Sequence, residues 1–278
     1  YDARDLLVDE LNEYIPVSIE RVPSGGMASE VAEGSLKIIY QGVTLVDGKH
    51  HGNVAVNGAA GQINGAIKAD GKYDLFTNFS VTGVGTNGQL TGPTNFNYGQ
   101  IESAHPAKGK LAALIDAYGH VDPDRNGSNG IYPDMLDQLN KVAETFVNVF
   151  NQAHKAGYTL TDGANTSKPG EDFFKLLDPT PPATSIPAAK AITVEQTIID
   201  NPNLIAASTR PNEEGNGRWA LELSDMQFTN ISGSFTFGAG LVSSAPNATN
   251  TAGITINIPN NGTGLDGFTF QNYYTGMI

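Results

Sequence analysis

The chain has 278 residues, 39% of them apolar, enough for about two domains with real cores. Its 16 basic and 29 acidic residues leave a formal charge of -13, which repels nucleic acid and anionic membranes, and no cluster of Lys and Arg offsets it locally. Cysteine is absent, which removes disulfides, thiolate nucleophiles and Cys-ligated zinc, and no apolar run approaches the roughly 18 residues of a membrane span.

Residues 1 to 15 read as a helix with Ala3, Leu7, Leu11 and Tyr14 on one face, widened by Leu6 and Ile15, and Pro16 ends it. No signal peptide is visible, and because the chain opens at Tyr1 inside an amphipathic pattern it reads as a segment of a longer protein. From there to about Asn97 the pattern changes to short β-type runs: Val17 to Val22, Leu36 to Tyr40, Val43 to Val46, Val54 to Val56 and Tyr73 to Val81. Between them lie Gly25-Gly26, Asp47-Gly48, Asn57-Gly58, Asn64-Gly65, Asp70-Gly71 and Asn87-Gly88, dipeptides that tolerate the positive φ of tight hairpins.

Helical character returns at Lys108 to Tyr118 through Leu111, Ala112, Leu114 and Ile115, and a polar turn rich in Asp, Asn and Gly follows. The clearest element is a helix from Pro133 to Ala156. Met135, Leu139, Val142, Phe146, Val149 and Ala153 recur at steps of four and three, and Leu136, Ala143 and Phe150 broaden the stripe. Pro133 suits its first turn, and Gly157 is expected to end it as a left-handed residue. At about 1.5 Å per residue it is roughly 36 Å long and needs partners along its length.

Beyond it, Phe173, Phe174, Leu176 and Leu177 form an anchor, and Pro179 to Pro187 cannot be regular structure. Ile192 to Val194 reads as a strand, Pro202 to Ser208 as a short helix and Arg218 to Phe228 as a longer one. From Ser232 to Pro259, alternation in Phe235, Phe237, Leu241, Ile254, Ile256 and Ile258 marks a second β region, and Phe268, Phe270, Tyr273, Tyr274, Met277 and Ile278 approach another apolar element.

The expected fold class is therefore α+β: an elongated helical domain with an inserted β-rich domain and a smaller C-terminal β insertion. Residues 1–15 and 105–231 would form the helical domain, discontinuous and rejoined near 266–278, with 16–104 as the β-rich insertion and 232–265 as the small one. The first helix would dock on the helices after Lys108, since neither it nor the long helix can bury its face alone.

No catalytic constellation survives inspection, so neither an enzyme nor a cofactor site is expected. Asp122, Asp124, Asn126 and Gly127 match the first half of a calcium loop, with Ser128 at the carbonyl position, but the bidentate acid belongs at Pro133 and Asp134 comes one place late. The Asp122 to Gly130 stretch therefore reads as a solvated helix-to-helix turn, and no metal site is expected. His50, His51, His105, His120 and His154 include no pair at an i, i+4 spacing for zinc, and His154, on the last turn of the long helix, suits the dipole or a packing contact. The Gly-Lys pairs at 71-72 and 109-110 lack the rest of a phosphate loop.

In order, the helical segments resemble the flagellar hook-associated protein family of the hook-filament junction, the FlgK family. The resemblance runs through Asp2, Arg4, Asp5, Leu6, Leu7, Glu10 and Leu11, then Leu45 to Gly48, then Gly109 to Asp116. It continues through Leu136-Asp137, Asn151, His154 and Gly157, Phe173-Phe174, Ile192 to Val194, and Asn201-Pro202 to Ala207. Tyr118-Gly119 with Tyr132 to Leu136 resembles the version in Bacillus-type relatives. The strands between Gly52 and Phe96 and the tail after Ile231 match poorly.

The resemblance implies an extracellular structural subunit exported through the flagellar type III channel without a cleaved signal. Its partners would be other copies of itself in a ring, the hook protein and the next junction protein, with no nucleic acid and no membrane. In the family, terminal helices drive axial assembly, so this segment by itself is expected to be a soluble monomer. A rival class is an extracellular binding module, an adhesin or phage-tail fibre, which would expect exposed aromatics in the 73 to 98 region, where Tyr73, Phe76, Phe79, Phe96 and Tyr98 fit either a core or a ligand platform. A second rival, a surface glycosidase, needs two inward carboxylates about 5 to 10 Å apart.

Overall fold

Tyr40 has no exposed surface, and its ring meets Phe79 and Phe96 edge-on at centroid distances of 5.9 and 5.1 Å. Two sheets, one antiparallel and one mixed, and three helices are built around that contact. The computed structural model describes residues 2–22, 35–60, 74–103, 109–122, 127–160, 166–177, 188–231, 233–239, 253–258 and 267–277. The fold is α+β, and by contact the chain divides at Asp134 into two compact units.

In the first unit, helix α1 (Asp2–Tyr14) precedes a four-stranded sheet of β1 (Ser18–Val22), β2 (Ser35–Tyr40), β3 (Val43–Asp47) and β4 (His50–His51), paired in that order. Between β2 and β3, Gln41 and Gly42 both have positive φ, 44° and 81°, the tight turn whose twist suits a hairpin. Asp47-Gly48 turns the chain as expected, with Gly48 at φ 59°. The second sheet contains β5 (Asn53–Ala60), β6 (Asp74–Val84) and β7 (Leu90–Phe96), and Gly88, at φ 74°, turns β6 into β7. Asn57-Gly58 is not a hairpin turn: it lies inside β5 where the register shifts, Asn57 opposing Asn78 and Gly58 opposing Phe76, so the extra residue is Thr77 on β6. Gly25-Gly26, Asn64-Gly65 and Asp70-Gly71 lie outside the described residues.

After β7 come α2 (Tyr98–Ser103) and α3 (Lys110–Tyr118). The chain then forms β8 (His120–Asp122), parallel to β6 through Phe76 and His120, and β9 (Gly127–Asn129), antiparallel to β8. In place of the expected helix-to-helix turn, the described residues on either side of 123–126 thus pair as strands appended to the sheet. The ends of this pair are fixed by glycines with φ of 112° at Gly119 and 140° at Gly130. A Cβ on Gly130 would stand 2.6 Å from both the Gly119 Cα and the Asp116 carbonyl oxygen, so the departing and returning chains touch as backbone.

The expected separation of a helical domain from a 16–104 β domain does not follow the contacts. Val8 of α1 and Ile15 just after it, Ile101 of α2 and Ala112 and Ile115 of α3 share one apolar cluster with Ile38, Tyr40, Phe79, Val81 and Phe96. Such short helices cannot bury a face alone, and the sheet beside them is the nearest apolar surface. Helix α1 does pack on α3, where Lys110 pairs with Glu13 and lies over the Tyr14 ring. Its inward stripe is nevertheless Val8, Leu11 and Ile15, while Leu6 and Leu7 remain 68% and 65% exposed.

The long helix, α4 (Ile131–His154), begins two residues before Pro133, whose side chain is fully buried. Its stripe is deepest toward the C-terminus: Ala143, Val147, Val149 and Ala153 are buried, and Met135 is 41% exposed. In the second unit, β10 (Phe174–Leu176) pairs with β11 (Ile192–Val194), which α5 (Ala188–Ala191) precedes and α6 (Gln196–Asp200) follows. A single 3-10 turn, Pro202–Leu204, replaces the helix expected to Ser208. Next come α7 (Arg218–Asp225), continued by the 3-10 turn Met226–Phe228, and β12 (Asn230–Ile231). The small β region holds the antiparallel pair β13 (Ser234–Phe237) and β14 (Ile254–Asn257); β15 (Phe268–Thr269) pairs with β12, and α8 (Phe270–Met277) follows. Trp219, Met226, Ile231, Phe237 and Ile256 close the core over Val149 and Ala153. The stretch from Pro179 to Pro187 lies outside the described residues.

Candidate functional site at the end of the long helix

Helix α4 carries polar residues at 140, 151, 152 and 154 among apolar ones, and each of the four engages main chain. Asn140 Oδ1 accepts from the Ala189 N–H at 3.1 Å. Asn151 Oδ1 accepts from the N–H groups of Phe173 and Phe174 at 3.0 and 2.9 Å, while its Nδ2 donates to the Phe174 carbonyl at 2.7 Å. Gln152 Nε2 donates to the Asn257 carbonyl at 2.7 Å, and its Oε1 accepts the Asn257 N–H at 3.0 Å, so the side-chain amide pairs with β14 as a peptide group would.

His154, fully buried, is the innermost member. Its Nε2 accepts the Ala206 N–H at 2.9 Å, which leaves the ring proton on Nδ1, donated to the Glu171 carbonyl at 2.6 Å. Both ring nitrogens are thus engaged in the neutral form. Burial pushes the imidazole pKa below its ordinary value, against the opposing pulls of the Glu171 hydrogen bond and the Asp172 carboxylate. The expected interaction with the helix dipole is therefore replaced by hydrogen bonding: a neutral ring has no charge to offer the dipole. The packing contact is real, since the Phe173 ring meets His154 edge-on at 5.3 Å.

Two glycines let the backbone approach. Gly157 does not adopt a left-handed φ; the helix closes through short bonds from Ala156 and Gly157 N–H to the Ala153 and His154 carbonyls. A Cβ at Gly157 would stand 2.6 Å from Trp219 Nε1 and 2.9 Å from Trp219 Cγ, so the glycine is required by the indole lying on it. Trp219 Nε1 donates to the Ala153 carbonyl at 3.0 Å. At Gly170 a Cβ would stand 2.7 Å from Ala206 Cβ and 2.9 Å from His154 Nδ1. Tyr158 then exchanges backbone hydrogen bonds with Ser208, tying the segment after the helix to the one His154 holds.

The charged residues nearby are paired with one another: Lys155 with Asp172 at 2.7 Å, Lys168 with Glu171 at 2.6 Å and Lys175 with Glu195 at 3.0 Å. Among the described residues no group of three or more His, Asp or Glu could hold a metal ion. Asp122 and Gly127 are backbone partners in the β8–β9 pair, and Asp124 and Asn126 lie outside the described residues, as does His105. His120 is buried and stacked on Tyr98 at 3.8 Å, and His50 and His51 form β4. Phe76, Phe79 and Phe96, offered as a ligand platform by the binding-module reading, are 3%, 7% and 4% exposed, so they belong to the core. Tyr73 lies outside the described residues.

Sequence reasoning missed Gln152 and Trp219. The first looks like any surface glutamine until β14 is placed beside it. The second is the single tryptophan of the chain, a signal that something large must be accommodated, but not where.

Fold and site together define an α+β protein in which one long helix fastens the main chain around it through side-chain amides and an imidazole. Residues 1–174 match the family described as the flagellar hook-associated protein FlgK helical domain. The chain belongs to the flagellar hook-associated protein FlgK family. Flagellar hook-associated protein 1 of Bacillus subtilis (strain 168) is 30% identical to it over 208 residues, 72% of this chain and 35% of that protein. The chain thus spans about a third of the length of this relative. The matched 174 residues include Asn140, Asn151, Gln152, His154 and Gly157, while Ala189, Ala206, Trp219 and Asn257 lie beyond them. Among the described residues no helix is long and apolar enough to cross a membrane.

Proposed function

We propose that this chain is part of a structural subunit of the bacterial flagellum that joins hook to filament. It works outside the cell after export through the flagellar type III channel, surrounded by other copies of itself in a ring and flanked by the hook protein and the next junction protein. Neither catalysis nor a cofactor belongs to this reading. The supporting observation, beside the family, is the use of the helix α4 polar residues: Asn140, Asn151, Gln152 and His154 all hold backbone. Such a fastened helix suits a part that carries mechanical load, because side-chain hydrogen bonds in a low-dielectric core resist displacement of the chain they hold.

The test is deletion of the gene in the bacterium that carries it. Hooks lacking attached filaments and a loss of swimming, both restored by the intact gene, are the expected result. Normal filaments on the hooks of the deletion strain would overturn the proposal. In dilute solution the purified chain should scatter light as a monomer; a stable closed ring formed by it alone would mean that this part carries the assembly energy.

A further inference from the structure

Strand β5 is one edge of the five-stranded sheet: it pairs with β6, and among the described residues no strand pairs with its other side. Residues 53 to 58 are all exposed, with Val54 at 57% and Val56 at 67%. Sheet edges of this length are usually blunted by Lys, by Pro or by a bulge, because a row of unpaired N–H and C=O groups templates another strand. On β7, Pro93 does this, opposite Thr82. On β5 no such device interrupts Asn53 to Asn57: the register with β6 shifts only after Asn57, and the extra residue there, Thr77, belongs to β6.

The regular stretch reads Asn-Val-Ala-Val-Asn, the same in both directions. We infer that β5 pairs antiparallel with β5 of a second copy of this chain, about a two-fold axis through Ala55. In that register Val54 faces the second copy's Val56 on one side of the sheet, Asn53 faces the second copy's Asn57 on the other, and Ala55 faces itself. Such a contact is self-complementary and closes after two chains. Charge favours this occupant over a basic or acidic peptide: residues 50 to 60 include no Asp, Glu, Lys or Arg, so the strand itself offers no ion-pair partner to a charged peptide and no like charge to its own copy. Cross-strand valine pairs add favourable burial, and every second residue of β5 turns its peptide groups to the open side. Five residue pairs bury far less than the roughly 1,200 Å² of a stable interface, so the pairing is weak and appears at high protein concentration. The inference is independent of the flagellar reading and concerns the free chain.

Because the chain has no cysteine, one introduced thiol reports the register without background. Opposed residues of an antiparallel pair have Cα atoms about 4.5 to 5.5 Å apart, within disulfide reach, whereas diagonal ones are about 7 to 8 Å apart and outside it. The purified Ala55→Cys chain, oxidised mildly at high concentration, should run as a covalent dimer on a non-reducing gel, and Val54→Cys should remain monomeric. Light scattering of the unmodified chain should show mass rising with concentration, and Val56→Lys should abolish the rise while leaving Trp219 fluorescence unchanged. Absence of the Ala55→Cys dimer, equal cross-linking of both variants, or a mass that stays monomeric at the highest concentration would each overturn the inference.

Discussion

The indole of Trp219 lies directly on the backbone of Gly157, with its Nε1–H donating to the Ala153 carbonyl 3.0 Å away. Gly157→Ala therefore forces a methyl into a fully buried ring and should destabilise the second unit by about 1 to 3 kcal/mol, the usual range for overpacking. Trp219 is the single tryptophan, so its fluorescence in a guanidinium titration follows this unit. Trp219→Ala should cost about 3 to 5 kcal/mol on its own. Combined with Gly157→Ala, followed by circular dichroism, the costs should be non-additive, because the added methyl then has room. Additive costs would separate the two residues.

Asn151 satisfies three backbone groups of the Phe173–Phe174 segment with one amide. Asn151→Ala removes all three bonds and should lower stability by about 1 to 3 kcal/mol, the range for leaving partly buried polar groups unsatisfied. Asn151→Asp keeps the acceptor for the two N–H groups but faces the Phe174 carbonyl with a second oxygen, so it should also destabilise. Gln152→Ala, at the more exposed contact with Asn257, should cost less than Asn151→Ala. The order of midpoints in the same titration checks all three.

His154 makes the second unit sensitive to acid. Its folded pKa lies below the ordinary value of 6.5, so above that pH both the folded and unfolded states are neutral and the full contribution is present. As pH falls below 6.5 the unfolded chain takes a proton that the folded one resists, and stability is lost progressively until the folded pKa is passed. A protonated ring would also present a donor to the Ala206 N–H. Denaturation midpoints at pH 8, 7, 6 and 5 should therefore decline, and His154→Gln should decline less steeply. An equal decline in the variant would place the titration on another group.

Calcium should not bind the Asp122 to Gly130 stretch. Its twelfth position, where calcium takes two oxygens from one acid, is Pro133, fully buried inside α4, and Asp134 next to it is exposed on the helix. Calorimetric titration at sub-millimolar calcium should give no binding isotherm; one that vanishes in Asp122→Ala would show a site.

Local chemistry in the sequence determined the elements. The steps of four and three from Leu139 to Ala153 are specific to a helix, and Gly48 and Gly88 turn the chain where positive φ is needed, because both effects act within a few residues. The Gln41-Gly42 hairpin was written only in its flanking strands, since glutamine seldom adopts a positive φ and the tight pairing of β2 with β3 imposes it.

Tertiary structure decided which faces these elements bury and what their polar groups meet. On α1, stripes through Leu7 and through Val8 have the same period and share Leu11, and only the position of the sheet and α3 selects the second. Asn57-Gly58 could equally turn the chain or continue a strand until β6 lies alongside it. The triplet Asn151, His154 and Gly157 marked the end of the long helix, yet their partners at Phe174, Ala206 and Trp219 lie 23, 52 and 62 positions further along. Periodicity covers only neighbours in the chain, whereas a buried hydrogen bond or an aromatic ring packed on a glycine exists only once distant segments have been brought together.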